Sequence, residues 1–513
     1  MSAGRSLALA LVAYALFLGF VAATFDDYGI SWDEPYYLEV GRTYLETFFD
    51  MDRMAETIPA FHLQSHGGLI DALYVAILDG IDPEASFERL HLVKALASSL
   101  ALLLVYAVLL RFERRGLVPL AGMLLLAFFP SWLGNAFDNH MDSSATVLYA
   151  AQMVIVLWGL GLRLDPEGSP ARWALWAMGF GALAAVAFSH RASLVTIPAL
   201  YFLMSLLQAT DRERRAHLVL LCAAFAVAFC ATAFAVDPWV RLHGLGGIFG
   251  KLYHSTSPGN VGTLLVRFAG EVRPAAELPR SYLLVWMGMS IPVVTGVLLA
   301  PGFVRLAGDL RRADRERRLD AAFLLLTLLV PLVIAIAVHP VLFARWRHFL
   351  FLSVPIAAIA ALGAGTAARL AGPRAWLVAG AIVLALASVG ASMYRLHPYP
   401  FLYVNPIAGG LPGIEGRYEL DYWGRSYREA TAWVRSRVET KREGAVSVFV
   451  CGPEQAAAAW FSKDMTLAKR IDEADYVICF TRAGHPSPAR MPDHVVQRQG
   501  VTLSRVWAMR RGD

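Results

Sequence analysis

The chain has 513 residues, 57% of them hydrophobic and 17% charged, where a soluble domain would carry roughly half and about a quarter. The formal net charge is +5, but the arginines fall between apolar runs and not in a patch interleaved with exposed aromatics. That distribution argues against a nucleic-acid partner and for the lipid bilayer as solvent.

A hydrocarbon core about 30 Å thick needs roughly 20 apolar residues per helix. Taken in chain order, the apolar runs bounded by charge or turn residues predict eleven transmembrane helices, at 6–25, 93–110, 117–132, 143–162, 173–188, 194–207, 218–236, 282–304, 321–338, 349–367 and 375–394. Arg5 ahead of the first run and Ala22, Ala23 and Thr24 after it resemble a signal peptide, but the length of the run favours an uncleaved helix. Lys and Arg are retained on the cytoplasmic side. The loops holding Arg111, Arg114 and Arg115, then Arg163 and Arg172, then Arg212, Arg214 and Arg215, then Arg305 through Arg318, then Arg369 and Arg374 all fall on the side of Arg5. Loops 26–92 and 237–281 and the tail are then outside.

The fold class expected is a polytopic α-helical membrane protein, with a transmembrane domain over 1–394 and a small extracytoplasmic α/β domain over 395–513. In that tail the apolar runs shorten to strand-like stretches at 445–451 and 476–480, with a helical 455–461 between them. Cys222 and Cys230 sit inside the seventh apolar run and suit helix packing. Cys451 and Cys479 lie on the two expected strands and form either a disulfide, if the strands are neighbours, or two buried thiols.

Chemistry concentrates at the outer helix ends. Just past the first helix stands Ser31-Trp32-Asp33-Glu34-Pro35-Tyr36-Tyr37, two adjacent carboxylates among aromatic rings suited to the membrane interface or to sugar stacking. Asp138-Asn139-His140-Met141-Asp142 supplies a second acidic cluster between the third and fourth helices. Such carboxylates can hold a divalent cation, with Asp33, Asp138 and Asp142 as candidate ligands, orient a hydroxyl, or serve as a general base. Opposite charge comes from Arg345-Trp346-Arg347-His348 and Ser189-His190-Arg191. Arginine on the outer face runs against the topology rule, and its planar fork suits phosphate; a salt bridge or a lipid headgroup contact is the plainer reading. The first outer loop adds His62 and His66 ahead of 69–78, which is too short to span and reads as an interfacial helix. The stretch 237–281 fits either a lid or an ordinary structured loop.

These residues resemble the GT-C superfamily of glycosyltransferases, in particular the bacterial branch similar to protein O-mannosyltransferases and lipid A aminoarabinose transferases. Asp33-Glu34 carries most of the resemblance, and the stretches 345–351, 397–406 and 417–424 look like a prokaryotic subfamily. Two departures stand out. Where relatives often have a His-Pro-Pro stretch, this chain has Phe61-His62-Leu63-Gln64-Ser65-His66-Gly67-Gly68, and the second acidic loop does not follow the expected Asn-Pro-Lys-Asp wording.

The resemblance implies a polyprenyl-phosphate-linked sugar donor, membrane lipids as surroundings, and an acceptor that is a glycolipid, a cell-envelope glycan or a protein. The location it implies is the plasma (inner) membrane, with the active site outside. Asp33 would be the base, with Glu34, Asp142 or Asp138 assisting. Arg347, with Arg191, Arg345 and His348, would face the donor phosphate, and inversion is favoured over retention. His140, His62, His66, Tyr418 and Asp421 are placed near the acceptor, the last two serving either recognition or bracing of the loops. A secondary transporter, a sugar-polymer ligase or polymerase, and a non-catalytic scaffold are the competing classes.

Overall fold

The computed structural model describes residues 3–60, 66–82, 86–114, 116–161, 169–256, 259–441, 445–482 and 488–509. Eight of its helices are long and apolar enough to cross a membrane, nine when the bent pair Val118–Ala127 and Pro130–Ala136 counts as one span. The last of the eight, Arg347–Leu396, is 50 residues long and contains two helices, Ser353–Ala371 and Ala375–Leu396. They are divided at Gly372, whose φ of 54° favours glycine. Dividing that stretch and adding the shorter apolar helix Ala192–Leu206 accounts for all eleven apolar runs. The chain is a polytopic membrane protein.

Two runs hold breaks that composition alone does not reveal. The run 117–132 bends by 63° before Pro130, and 282–304 divides into Tyr282–Ser290 and Val293–Arg312 at Pro292. Proline cannot donate to the preceding turn, so each break falls where the helical ladder loses a donor. Elsewhere helix starts follow capping chemistry: the side chains of Ser86, Asn139, Asp211, Asp237 and Asp314 each accept from a backbone N–H three residues on. Helices Val293–Arg312 and Ser353–Ala371 touch backbone to backbone. A Cβ on Gly302 would lie 2.2 Å from the Ile359 carbonyl oxygen, and one on Gly363 would lie 1.9 Å from that of Leu298. Small residues at such crossings are the usual means of close approach between membrane helices.

The basic loops meet at one end of the bundle. Arg111 pairs with Asp320 at 2.7 Å and with Glu316, Arg317 donates to the Phe112 carbonyl at 3.0 Å, and Arg369 pairs with Glu113 at 3.0 Å. At the opposite end lie the short helices of the first long loop, Glu34–Thr47, Met51–Ala60 and Leu69–Ile81. The last leaves Leu73, Ile77 and Ile81 exposed, as an interfacial helix would. The second long loop folds into helices Pro238–His243 and Leu245–Thr256 and the hairpin β1 (Leu265–Phe268) and β2 (Glu271–Pro274).

The tail carries a five-stranded sheet. Its strands are β3 (Val446–Val450), β4 (Met465–Leu467), β5 (Tyr476–Phe480), β6 (His494–Arg498) and β7 (Val501–Ala508), in the order β4-β3-β5-β7-β6. β3 runs parallel to β4 and β5, while β7 is antiparallel to β5 and β6. Because β3 and β5 are neighbours, Cys451 and Cys479 stand side by side just where the two strands pair, and a disulfide joins them. Helix Tyr427–Lys441 shares a core with the sheet through Tyr427, Ala430 and Val434. Residues from Tyr399 to Trp423, by contrast, are packed into the same core as the membrane helices, as are Val501 and Leu503 of β7.

Candidate active site

Asp33 is the N-cap residue of helix Glu34–Thr47, with Pro35 in the first turn, and its side chain makes no capping bond. The carboxylate faces a cavity of about 760 Å³ at the end of the bundle opposite the basic loops, where its side chain is 33% exposed. Burial among the helices pushes its pKa above the ordinary carboxylate value; Arg347 opposes that shift and Asp142 reinforces it.

Glu34 turns the other way. It is fully buried, accepts from Lys94 Nζ at 2.5 Å and lies 3.1 Å from His91 Nε2. Burial alone would raise its pKa, but His91 and Lys94 hold it at about 2. The expectation that Glu34 assists Asp33 at the site is corrected: the helix directs successive side chains to different faces, and Glu34 lies outside the cavity.

Asp142 lies at the base of the arginine cluster. It accepts from Arg191 Nη2 at 2.5 Å, from Arg347 Nη1 at 3.2 Å and from the Asn139 amide. Arg191 also donates to the His348 carbonyl at 2.8 Å, and the Arg347 guanidinium lies 4.5 Å from the Trp423 ring and 4.9 Å from that of Phe343. Arg347 Nη2 is 4.0 Å from Asp33 Oδ2. Asp33, Arg191, Arg347 and His348 all line the cavity, and His66 and His190 stand with them.

Other expected site residues are placed elsewhere. Asp138 pairs with Arg425, which also donates to the Gly134 carbonyl and Asn135 Oδ1 at 3.0 Å each. His140 is buried against Asp71 at 2.5 Å, behind Tyr37. Arg345 donates to the Phe401 carbonyl at 2.7 Å and lies over Trp286 at 4.6 Å, so it braces the tail and does not face the cavity. Ala344 and Arg345 adopt φ of 55° and 65°, a kink that separates the directions of Arg345 and Arg347. Tyr418 packs on Phe268 and Trp286, and Asp421 accepts from the Trp423, Arg425 and Ser426 N–H groups, capping its own turn. His62 lies outside the described residues. Among the described residues no group of three His, Cys, Asp or Glu is placed to hold a metal ion. Of the three candidate carboxylate ligands, Asp138 and Asp142 are already held by arginines.

Two cavity residues from the tail were not singled out in the sequence. Glu419 lines the wall, and burial pushes its carboxyl up to about 7 against the pull of Arg482 and Arg345. Arg482 follows β5 and lines the same cavity. Away from these polar groups the wall is apolar, formed by Pro331, Ile334, Ala335 and Val338 of the Arg315–Val338 helix with Leu252 and Leu264.

No protein-family model matches this sequence, and no curated protein matches it. Among solved structures, the fold is similar to that of ArnT from Cupriavidus metallidurans in the apo state, with 14% identity, a TM-score of 0.50, and 98% of each chain covered. The structure of ArnT from the same organism bound to undecaprenyl phosphate aligns with 14% identity and a TM-score of 0.49, over 98% of this chain and 97% of that one. The architecture has the form expected from the sequence, a multi-helix membrane body with a small α/β unit at its C-terminus.

Proposed function

We propose that the protein is a membrane glycosyltransferase that moves a sugar from a polyprenyl-phosphate-linked donor to an acceptor on the outer face of the plasma (inner) membrane. One observation carries the reading: a single cavity joins a carboxylate, Asp33, to two arginines locked on one buried aspartate, and continues into an apolar wall. Two guanidinium groups sharing one carboxylate leave an excess of positive charge, which suits a phosphate. The apolar wall suits the chain that anchors the phosphate. Basic loops clustered at the far end of the bundle and a disulfide in the tail both favour an outward-facing site.

In the reaction, Asp33 takes the proton of the acceptor hydroxyl as its oxygen bonds to the anomeric carbon. The bond from that carbon to the phosphate oxygen breaks, and the departing electron pair is stabilised by Arg347 and Arg191. Glu34 and Asp142 are both committed to cations, and the other cavity carboxyl, Glu419, is pushed towards its neutral form by burial, which leaves Asp33 as the ionised carboxylate and favours single displacement with inversion over a glycosyl-enzyme route. The donor sugar and acceptor class are chosen by the remaining cavity wall.

The test is transfer of labelled sugar from a panel of polyprenyl-phosphate sugars by purified protein in lipid nanodiscs. Transfer from at least one donor is expected; no transfer from any, with a folded protein, overturns the reading. Arg347→Gln is expected to weaken binding of polyprenyl phosphate by about tenfold to a hundredfold, the loss of one charge-assisted contact to phosphate. Equal binding by wild type and variant would remove Arg347 from the donor site.

A further inference from the structure

The turn that presents Asp33 is held from the side of the C-terminal domain. Arg428 Nη1 donates to the Tyr28 carbonyl at 2.8 Å, and a Cβ on Gly29 would stand 2.0 Å from the Arg425 carbonyl oxygen, so glycine alone fits there. Trp32, immediately before Asp33, meets Phe480 edge-on at 6.4 Å, and the Arg482 guanidinium lies 5.2 Å from its ring. Phe480 ends β5 next to Cys479, whose disulfide ties this strand to the end of β3. Arg482 has no hydrogen bond or ion pair among the described residues, although it lines a cavity that contains two carboxylates, Asp33 and Glu419. A half-buried guanidinium lying against an aromatic face is placed by that face.

We propose that Arg482 is a positioning residue for Asp33: the α/β domain grips Trp32 through it, fixing the turn that presents the carboxylate and setting a positive charge beside it. The inference rests on the reading of Asp33 as the base. The groups facing Asp33 are Arg347 from the outer start of the tenth span, Asp142 from the fourth, Arg425 and Arg482 from the tail, and Tyr36 and Tyr37 from its own helix. Of the three arginines, Arg347 is bonded to Asp142 and Arg425 is paired with Asp138. Arg482 is in hydrogen-bonding contact with neither cavity carboxyl and acts on both Asp33 and Glu419 across the cavity. Burial raises the Asp33 pKa and Arg482 opposes that rise. Removing the charge leaves more of Asp33 protonated at any given pH, while removing the stack loosens the turn.

The experiment measures kcat, donor KM and the pH profile of transfer for wild type, Arg482→Gln, Arg482→Lys and Asp33→Asn in nanodiscs. Arg482→Gln is expected to lower kcat by about tenfold to a hundredfold, in keeping with the cost of a small misplacement of a reacting group. Its acid limb should move to higher pH with donor KM unchanged. Arg482→Lys keeps the charge, so its acid limb stays near that of wild type while kcat falls less. An unmoved acid limb in Arg482→Gln, or a Lys variant whose limb moves as far as that of Gln, overturns the proposal. Activity retained by Asp33→Asn removes the base itself, a different failure that withdraws the reading on which Arg482 rests.

Discussion

Asp33→Asn is expected to lower turnover by about a hundredfold to ten-thousandfold, the usual contribution of a positioned general base, with binding of polyprenyl phosphate little changed. The amide has nearly the same shape but no lone pair basic enough to accept the acceptor proton. The wild-type profile should rise with pH along its acid limb, because the base acts only when ionised, and the midpoint should lie above the ordinary aspartate range, since burial raises this carboxyl. The linkage sign gives an independent check. A carboxyl that holds its proton more tightly in the folded protein than in the unfolded chain loses stability as pH rises from the unfolded to the folded pKa. Replacing Asp33 by Asn should therefore leave thermal stability at neutral pH equal or slightly higher. A variant that loses both turnover and stability would point to a structural role instead.

Much of the fold was legible because apolar runs record the bilayer directly. All eleven runs correspond to helices; the errors fall at prolines inside a run, Pro130 and Pro292, where length and hydropathy continue while the hydrogen-bond ladder stops. The tail was harder. β5 is a continuous apolar strand and β3 is interrupted by Ser447 alone, but β6 and β7 carry His494, Gln497, Arg498, Ser504 and Arg505 and read as loop in hydropathy alone. Whether Cys451 and Cys479 would be bonded depended on strand adjacency, which no single strand encodes.

The site was legible in type and less so in direction. Asp33 stood out as an acid among aromatics just past the first helix, yet which of the adjacent acids faces inward depends on the phase of the Glu34–Thr47 helix and on two side chains some sixty residues on, His91 and Lys94. The same holds for Arg345 and Arg347, two residues apart, which part company at backbone positions of positive φ. Glu419 and Arg482 reach the cavity only because the tail folds back over the first loop. Long-range packing of this kind leaves no local signal, and Arg482 is one of many Lys and Arg residues in the tail.

Lys94→Met is expected to destabilise the protein by about 3 to 5 kcal/mol, the cost of removing one partner from a buried ion pair. Glu34 would remain in a site that is 0% exposed, with the His91 ring as its remaining side-chain partner among the described residues. The charged state of Glu34 is what the wild type exploits: its pKa is held at about 2. A carboxyl depressed in this way contributes stability that is fully present above its unfolded pKa, near 4.5, and is lost as pH falls towards 2. Thermal midpoints of the wild type in detergent should therefore drop between about pH 4.5 and 2 more steeply than those of Lys94→Met, in which the carboxyl is already driven towards its neutral form. The double variant Glu34→Met, Lys94→Met should recover most of the loss, because an apolar pair of similar volume removes the stranded charge along with its partner. Since Glu34 follows Asp33 directly in the chain, its recovery in stability need not restore turnover. If the double variant is stable but slow, the buried pair serves to orient the helix start that presents Asp33; if it is stable and fully active, the pair serves stability alone. A Lys94→Met protein as stable as wild type, with an unchanged pH dependence, would show that Glu34 is not held as an ion in the folded chain.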